Sequence, residues 1–215
     1  MIIQDTWDWK THQPIVELML SEFHPELILE LGMGFNSTPL FIEYNPKELI
    51  CIENDKDWLK TMLATFKFKE NHKVIFHDTP DESRASINNH INNFNYYVEL
   101  RDEIVCKEKS IKLLFVDNYA CLRLLAITIL GDSFDIIIHH DSQPGGSVSY
   151  SEYFKNFRET YDCYLLKTSK NWTSCLISKQ LEYNQNQICE KLALIISKFC
   201  FDNGLVPGEM YLEKQ

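Results

Sequence analysis

Five short apolar runs mark the first two thirds of the chain: LILELG (27–32), ELICIEN (48–54), KVIFHD (73–78), IKLLFVD (111–117) and FDIIIHHD (134–141). Their apolar positions are largely continuous, the pattern of strands buried on both faces. The stretches between them, 38–44, 55–69, 81–105 and 119–130, carry helical periodicity. Strand and helix in alternation predict a doubly wound α/β fold, a parallel sheet with helices on both faces. Ahead of the first strand, HQPIVELMLSEF (12–23) reads as an amphipathic helix that His24-Pro25 ends.

Beyond Asp141 the pattern changes. A loop and a helix near 150–160 lead to YDCYLLKTS and WTSCLISKQ, two strands so close in sequence that they must pair antiparallel. The segment ICEKLALIISKFCF (188–201) predicts a final helix, placed at 184–201. The expectation is a mostly parallel, seven-stranded sheet closed by an antiparallel C-terminal hairpin. It forms one domain over 1–215, with an N-terminal helical segment at 1–26 and a core at 27–180. The Asn-rich SINNHINNFNYY (86–97) falls in the long connection between the third and fourth strands, and reads as a solvated insertion with one helix or as a substrate lid.

Composition narrows the setting. The chain has 215 residues, 45% hydrophobic and 24% charged, enough to bury a core without staples. No apolar run approaches the roughly 20 residues a membrane-spanning helix requires. Seven cysteines, scattered and without a C-x-x-C pair, read as reduced thiols, and the start MIIQDTWDWK lacks a secretory pattern, so a cytoplasmic location is expected. A net charge of −10 repels polyanions, and the basic cluster CKEKSIK (106–112) is modest; nucleic-acid partners are disfavoured.

The chemistry starts at LILELGMGFNSTPLF, where a strand passes into a helix through Gly32 and Gly34. Glycines there permit positive φ and let a ligand lie against bare backbone. Ser37 or Thr38 is placed to cap the following helix, with Pro39 in its first turn. A dinucleotide fingerprint needs three glycines, whereas this turn is G-x-G-x-x-S, with Glu30 two residues ahead. A carboxylate at that point suits an ammonium-bearing ligand and suits a pyrophosphate poorly.

LELGMGFNS resembles the first motif of the class I S-adenosylmethionine-dependent methyltransferases, E/D-x-G-x-G, a Rossmann-like family, and the resemblance extends over about residues 27–180. It implies a cofactor site of Glu30, Gly32, Gly34 and Ser37, with Glu53 at both ribose hydroxyls, Asp78 near the adenine amino group and Asp117 as the floor of the methyl-transfer site. The family's PGG turn before the fifth strand is replaced by GDSF, and Pro144-Gly145-Gly146 comes later. DNYA (117–120) stands where amino-methyltransferases of DNA carry D/N-P-P-Y/F/W, which disfavours adenine-N6 or cytosine-N4 methylation.

HHDSQPGG (139–146) adds the other concentration of reactive groups. Consecutive strand residues face opposite sides, so one histidine of the pair faces the strand-end pocket. His140, nearer the end, is the first choice as proton acceptor and His139 the second, with Asp117 or Asp141 orienting the ring. The competing reading is a packed histidine pair. Asp117, His140 and Asp141 also offer ligands for Mg²⁺, an arrangement similar to O-methyltransferases with carboxylates at these strand ends, though no second ligand motif accompanies them. Arg123 reads either as an ion pair anchoring its helix or as a clamp for an acidic substrate group. Trp7, Trp9 and Trp172 read as packing residues or as an aromatic wall.

These features imply an S-adenosylmethionine-dependent methyltransferase acting on an oxygen of a small molecule or glycan. The alternatives are a nicotinamide-dependent oxidoreductase built on the same turn, and a non-catalytic domain that binds a nucleotide or a partner. The oligomeric state is not legible.

Overall fold

The computed structural model describes residues 10–79, 87–107, 110–118, 120–142, 157–168, 171–205 and 210–214. In chain order the elements are α1 (Gln13–Phe23), β1 (Leu27–Leu31), α2 (Thr38–Tyr44), β2 (Glu48–Glu53), α3 (Lys56–Thr65), β3 (His72–Phe76), α4 (Ile87–Val105), β4 (Lys112–Val116) and α5 (Ala120–Leu130). A single 3-10 turn (Gly131–Ser133) then leads to β5 (Ile136–His139), β6 (Tyr161–Thr168), β7 (Trp172–Ser178), α6 (Gln185–Asp202) and β8 (Met210–Lys214). The loop from residue 143 with Pro144-Gly145-Gly146, and the helix expected near 150–160 up to residue 156, lie outside the described residues.

The strands form one sheet in the order β3-β2-β1-β4-β5-β7-β6-β8. From β3 to β5 all pairings are parallel, while β7 runs antiparallel to both β5 and β6. The expected hairpin is therefore present, with β7 inserted between β5 and β6. The seven-stranded expectation needs correction: β8 pairs antiparallel with β6 and makes eight strands. Its sequence MYLEK is only five residues long and two of them are charged, too little apolar signal to read as a strand before its partner is known.

Local signals account for the element ends. His24 and Asn45 take the left-handed conformation that closes α1 and α2, a backbone that asparagine tolerates better than most residues. Asp55 accepts hydrogen bonds from the N–H groups of Asp57 and Trp58 and so starts α3, and Asn184 does the same for α6 through Asn186 and Gln187.

Two apolar layers sandwich the sheet. On one face Ile15, Val16 and Met19 of α1, Phe41 of α2, Met62 of α3 and Ile188, Leu192 and Ile196 of α6 pack with Ile28, Phe115 and Ile138. On the other, Tyr97, Leu100 and Ile104 of α4 and Ala126, Ile127 and Leu130 of α5 pack with Leu29, Leu114 and Ile137. Strand residues alternate between the layers, which is why the strands read as unbroken apolar runs. Each fully buried Leu or Ile stabilises the fold by about 1.5–3 kcal/mol. No helix among the described residues is long and apolar enough to cross a membrane.

Register places the strand ends side by side. Leu31 pairs with Ile52 and with Val116, and Val116 pairs with His139. One residue further on, Gly32, Glu53, Asp117 and His140 therefore form a row along the carboxyl edge of four adjacent strands. The row straddles β1 and β4, the point where an open α/β sheet reverses its direction of winding and leaves a crevice.

Candidate functional site

The turn after β1 is held from every side. Gly32 has φ +84°, and a Cβ there would lie 2.5 Å from the carbonyl oxygen of Asp117, so β1 and β4 meet too closely for any side chain. Its N–H donates to the Ile52 carbonyl. The N–H of Met33 donates to Glu53 Oε2 at 2.9 Å, and Trp58 Nε1 donates to the Met33 carbonyl at 2.7 Å. The N–H of Gly34 donates to Thr38 Oγ1. Gly34 itself has an ordinary φ, and a Cβ there would meet only the Ser37 hydroxyl at 3.1 Å and the Asn36 nitrogen at 4.0 Å.

Glu30 sits beneath this turn with no exposed surface. Its carboxyl group accepts hydrogen bonds from Ser37 Oγ (2.7 Å) and from Thr38 Oγ1 (2.9 and 3.0 Å). The Ser37 side chain is thereby turned away from capping α2, the role its position suggested. Glu30 braces the turn from within instead of presenting a charge at its surface. Burial pushes its pKa up to about 8, only partly opposed by the bonds from Ser37, Cys51 and Thr38, so it is a neutral acid at pH 7.

A protonated buried acid has a signature in stability. The folded state keeps the Glu30 proton up to about pH 8, while the unfolded chain loses it near 4.5, so this stabilising contribution is complete below 4.5 and disappears as pH rises through 8. Glu30→Gln, which carries no ionisable group, is expected to gain on the wild type as pH rises. The difference in melting temperature, variant minus wild type, should be more positive at pH 9 than at pH 6; a difference independent of pH would mean that Glu30 is ionised in the fold.

Glu53 ends β2 almost completely buried. Oε1 accepts from the N–H groups of Asn54 and Asp55 at 2.8 Å each, and Oε2 accepts from Met33. Burial raises its pKa, against the pull of these three bonds. A carboxylate offers about four acceptor positions, and three are taken. The expectation that it accepts from both ribose hydroxyls is thus reduced to one free position on Oε2. Asp78 stands exposed beyond the end of β3. Its neighbour His77 stacks on Tyr96 of α4 with ring centroids 3.7 Å apart, and its Nε2 lies 2.8 Å from Asn93 Oδ1.

At the ends of β4 and β5 the structure brings Asp117, His140 and Asp141 together, with ligand-type atoms within 4.8 Å of one another. His140 Nδ1 lies 3.2 Å from Asp117 Oδ1, and Nε2 lies 3.7 Å from Asp141 Oδ1. Asp141 holds φ +56°, a left-handed turn that swings the chain off the strand. Burial lowers the His140 pKa, but the charge of Asp117 beside it, joined by that of Asp141, more than reverses this, and the net shift is upward. Burial likewise pushes Asp117 up, and His140 and Arg123 outweigh it to hold the carboxyl below its usual range.

Arg123 resolves its two readings toward anchoring. From α5 its Nε donates to the Asn118 carbonyl (2.6 Å), Nη1 to the His140 carbonyl (3.0 Å) and Nη2 to Asp117 Oδ1 (3.0 Å), with Asp141 Oδ2 3.5 Å from Nη1. The guanidinium ties two strand ends and sits between the two carboxylates. This bears directly on Mg²⁺: an incoming ion would have to displace a cation that also holds two carbonyls, and an imidazole nitrogen is a poor partner for an ion that prefers six oxygens. Asp117, His140 and Asp141 therefore do not fit a resident Mg²⁺.

His139 does not join this cluster. It is wholly buried on the α5 side of β5, and burial, followed by the charge of Arg123, lowers its pKa to about 3. Trp172 lies beneath Lys167, whose Nζ is 4.4 Å from the ring centroid, a packing role. Trp7 and Trp9 lie outside the described residues.

Two members of the site escape the sequence patterns, Thr11 and His12. Both are buried at the start of α1, on the face opposite Arg123. Thr11 Oγ1 is 3.1 Å from His140 Nε2, and the His12 ring meets that of His140 edge-on, centroids 4.7 Å apart. Burial, then His140, drives the His12 pKa down to about 3, so it packs as a neutral ring. The only hint in the sequence was a polar T-H-Q leading an otherwise apolar helix.

No protein-family model and no curated protein sequence matches this chain. Solved structures do match in shape. Human methyltransferase-like protein 13 in complex with SAH aligns with a TM-score of 0.52 at 11% identity, covering 89% of this chain and 90% of that one. N-methyltransferase NodS from Bradyrhizobium japonicum WM9, in complex with S-adenosyl-l-homocysteine, aligns with a TM-score of 0.52 at 10% identity, covering 82% and 90%. An rRNA methylase from Streptococcus thermophilus aligns with a TM-score of 0.50 at 12% identity, covering 83% and 98%. Likeness at this level of identity concerns the fold.

Proposed function

We propose, from the premise that this chain has the class I methyltransferase fold, that it is an S-adenosylmethionine-dependent methyltransferase acting on an oxygen of a small molecule or glycan. The observation that carries this reading is the row of Gly32, Glu53, Asp117 and His140 across four strand ends, with the N–H groups of Met33 and Gly34 in the turn above it already bound within the protein. A dinucleotide pyrophosphate is bound by free backbone donors at such a turn. Here the N–H of Met33 is committed to Glu53 and that of Gly34 to Thr38, and a carboxylate borders the turn. That environment suits a ligand without phosphate, which disfavours the nicotinamide alternative.

In this reading Gly32, Gly34 and the turn to Ser37 line the amino-acid part of the cofactor, with Glu30 bracing the turn from below. The free position of Glu53 accepts from one ribose hydroxyl, and Asp78 lies on the adenine side. S-adenosylmethionine supplies an electrophilic methyl group when bound. The chain supplies position, an effect worth up to about 7–11 kcal/mol, and a base: His140 takes the acceptor's hydroxyl proton while Asp117 stabilises the resulting charge. Arg123 keeps both groups in place by tying β4 to β5.

S-adenosylhomocysteine should bind and raise the melting temperature, by linkage about 2.7 kcal/mol of stability at a ligand concentration one hundred times Kd, whereas NAD should leave it unchanged. Thermal unfolding with each ligand reads this directly. Equal stabilisation by NAD would overturn the methyltransferase reading, and stabilisation by neither would favour a non-catalytic domain.

A further inference from the structure

Helix α4 carries two stripes. Asn93, Tyr97, Leu100 and Ile104 are buried against the sheet. About a third of a turn round the helix, Ile91, Phe94, Val98, Arg101 and Val105 form a second row at alternating steps of three and four residues. Ile91, Phe94 and Val105 are 51%, 48% and 58% exposed, while Val98 packs partly against the core beneath. This spacing is the a/d repeat of a coiled coil, the pattern of a helix that receives another helix. Alongside, α5 leaves Leu124 and Leu125 partly exposed and Thr128 exposed. It adds no charge to this face, because its one charged residue, Arg123, turns into the site.

The row extends well away from the candidate site. Phe94 lies near the strand ends, where the next turn of α4 holds His77 through Tyr96. Val105 is about 16 Å further along the helix axis, beside Ile104, whose carbonyl is held by Lys112 at the start of β4. A substrate at the strand ends therefore leaves the far half of the row uncovered.

We propose that this row is the contact between two copies of the chain, an antiparallel pairing of α4 with α4 about a two-fold axis in a reversible dimer. The row is its own complement. Turned end for end, it sets Phe94 on the partner's Val105 and Val98 on the stem of the partner's Arg101, in alternating a and d layers. Arg101 is already bonded to Asp102 of its own copy through Nε and Nη2, so it brings no unpaired charge to the seam. Charge selects the direction: exposed Glu99, Asp102 and Glu103 crowd the C-terminal half of α4, whereas Asn92 and Asn95 flank Phe94. Antiparallel helices lay acid beside amide, while parallel ones would set acid on acid and Arg101 on Arg101. The same acids, on a chain of net charge −10, oppose use of the row against an anionic lipid surface or a nucleic acid. With 19 residues in α4 and 11 in α5, the two helices offer a footprint of roughly 450 Å² per copy. That stands at the low end of specific interfaces, where association is reversible. The dimer holds whichever reaction the site performs.

Sedimentation equilibrium of the full chain under reducing conditions, over the micromolar to submillimolar range, should show a mass rising from 25.3 kDa towards twice that value. Phe94→Glu and Val105→Glu, both at exposed positions, should keep the wild-type melting temperature and each weaken association at least about thirtyfold. Leu194→Glu, which removes a still more exposed apolar side chain from α6, should leave association unchanged. In a Cys106→Ser background, Phe94→Cys combined with Val105→Cys should form interchain disulfides on oxidation, and Phe94→Cys alone should not. A wild type that stays at 25.3 kDa at the highest concentration, association that survives both glutamates, or an equal loss in Leu194→Glu would overturn the proposal. Cross-linking by Phe94→Cys alone would overturn the antiparallel pairing.

Discussion

Replacing Gly32 by alanine is expected to destabilise the fold by about 4 kcal/mol, far beyond an ordinary surface substitution. Two costs combine. At φ +84° an L side chain is strained, by about 1–3 kcal/mol, and the added carbon would sit 2.5 Å from the Asp117 carbonyl oxygen, 2.6 Å from its carbon and 2.7 Å from the Asn118 nitrogen. Those atoms are backbone at the end of a central strand and cannot swing aside; forcing β1 and β4 apart adds a further cost of about 1–3 kcal/mol. Urea denaturation of the purified variant measures the sum. Gly34→Val provides the contrast, because its Cβ meets no backbone closer than 4.0 Å and needs only the Ser37 hydroxyl, 3.1 Å away, to give by a few tenths of an ångström. That variant should fold and fail to bind S-adenosylhomocysteine. A loss below about 1 kcal/mol in Gly32→Ala would show that the two strand ends are not in contact as described.

The second large effect concerns turnover. His140→Ala should leave S-adenosylhomocysteine affinity near wild type and lower the rate of methyl transfer roughly 10²–10⁴-fold, the range for loss of a positioned general base. The pH profile carries further information. Because the pKa of His140 is raised, the unprotonated ring accumulates only above its ordinary range, and activity should climb with pH through that raised value. Asp117→Asn removes the main charge that raises it, so the rising limb should move to lower pH even as the rate falls. Chelator should have no effect on the wild type, since Arg123 occupies the position between the two carboxylates. Loss of activity in EDTA with recovery in Mg²⁺ would reinstate the ion, and normal turnover by His140→Ala would remove the base.

How much of this was legible beforehand differed by element. β1, β2, β4 and β5 were plain because burial on both faces leaves continuous apolar runs, and their ends carried the glycines and acids in order. The row of Gly32, Glu53, Asp117 and His140 follows from those ends once the strands align. Orientation was less legible. Glu30 sits on the same strand as buried leucines, and nothing in its sequence position tells a carboxyl that faces a ligand from one that braces a turn through Ser37 and Thr38. The metal reading of Asp117, His140 and Asp141 foundered on Arg123, which reaches them from six residues along the next helix through a long side chain that spacing alone does not aim. Thr11 and His12 were hidden for a different reason: their partner is 129 residues away in the chain, and a helix start of ordinary composition carries no mark of a distant contact.

The strand missed in the sequence, β8, changes how the sheet presents itself to other chains. An open sheet ends in a row of unpaired N–H and C=O groups, a template for a strand from elsewhere, and β6, with its apolar centre of Tyr164, Leu165 and Leu166, would have been an inviting one. β8 covers it along Tyr164–Thr168. The outermost strand is then MYLEK, whose Glu213 is bound to Lys167 and whose Lys214 reaches Gln185. Short, charged edge strands resist further pairing. β8 thus exchanges an apolar boundary of the sheet for one that is a poorer template for a further strand.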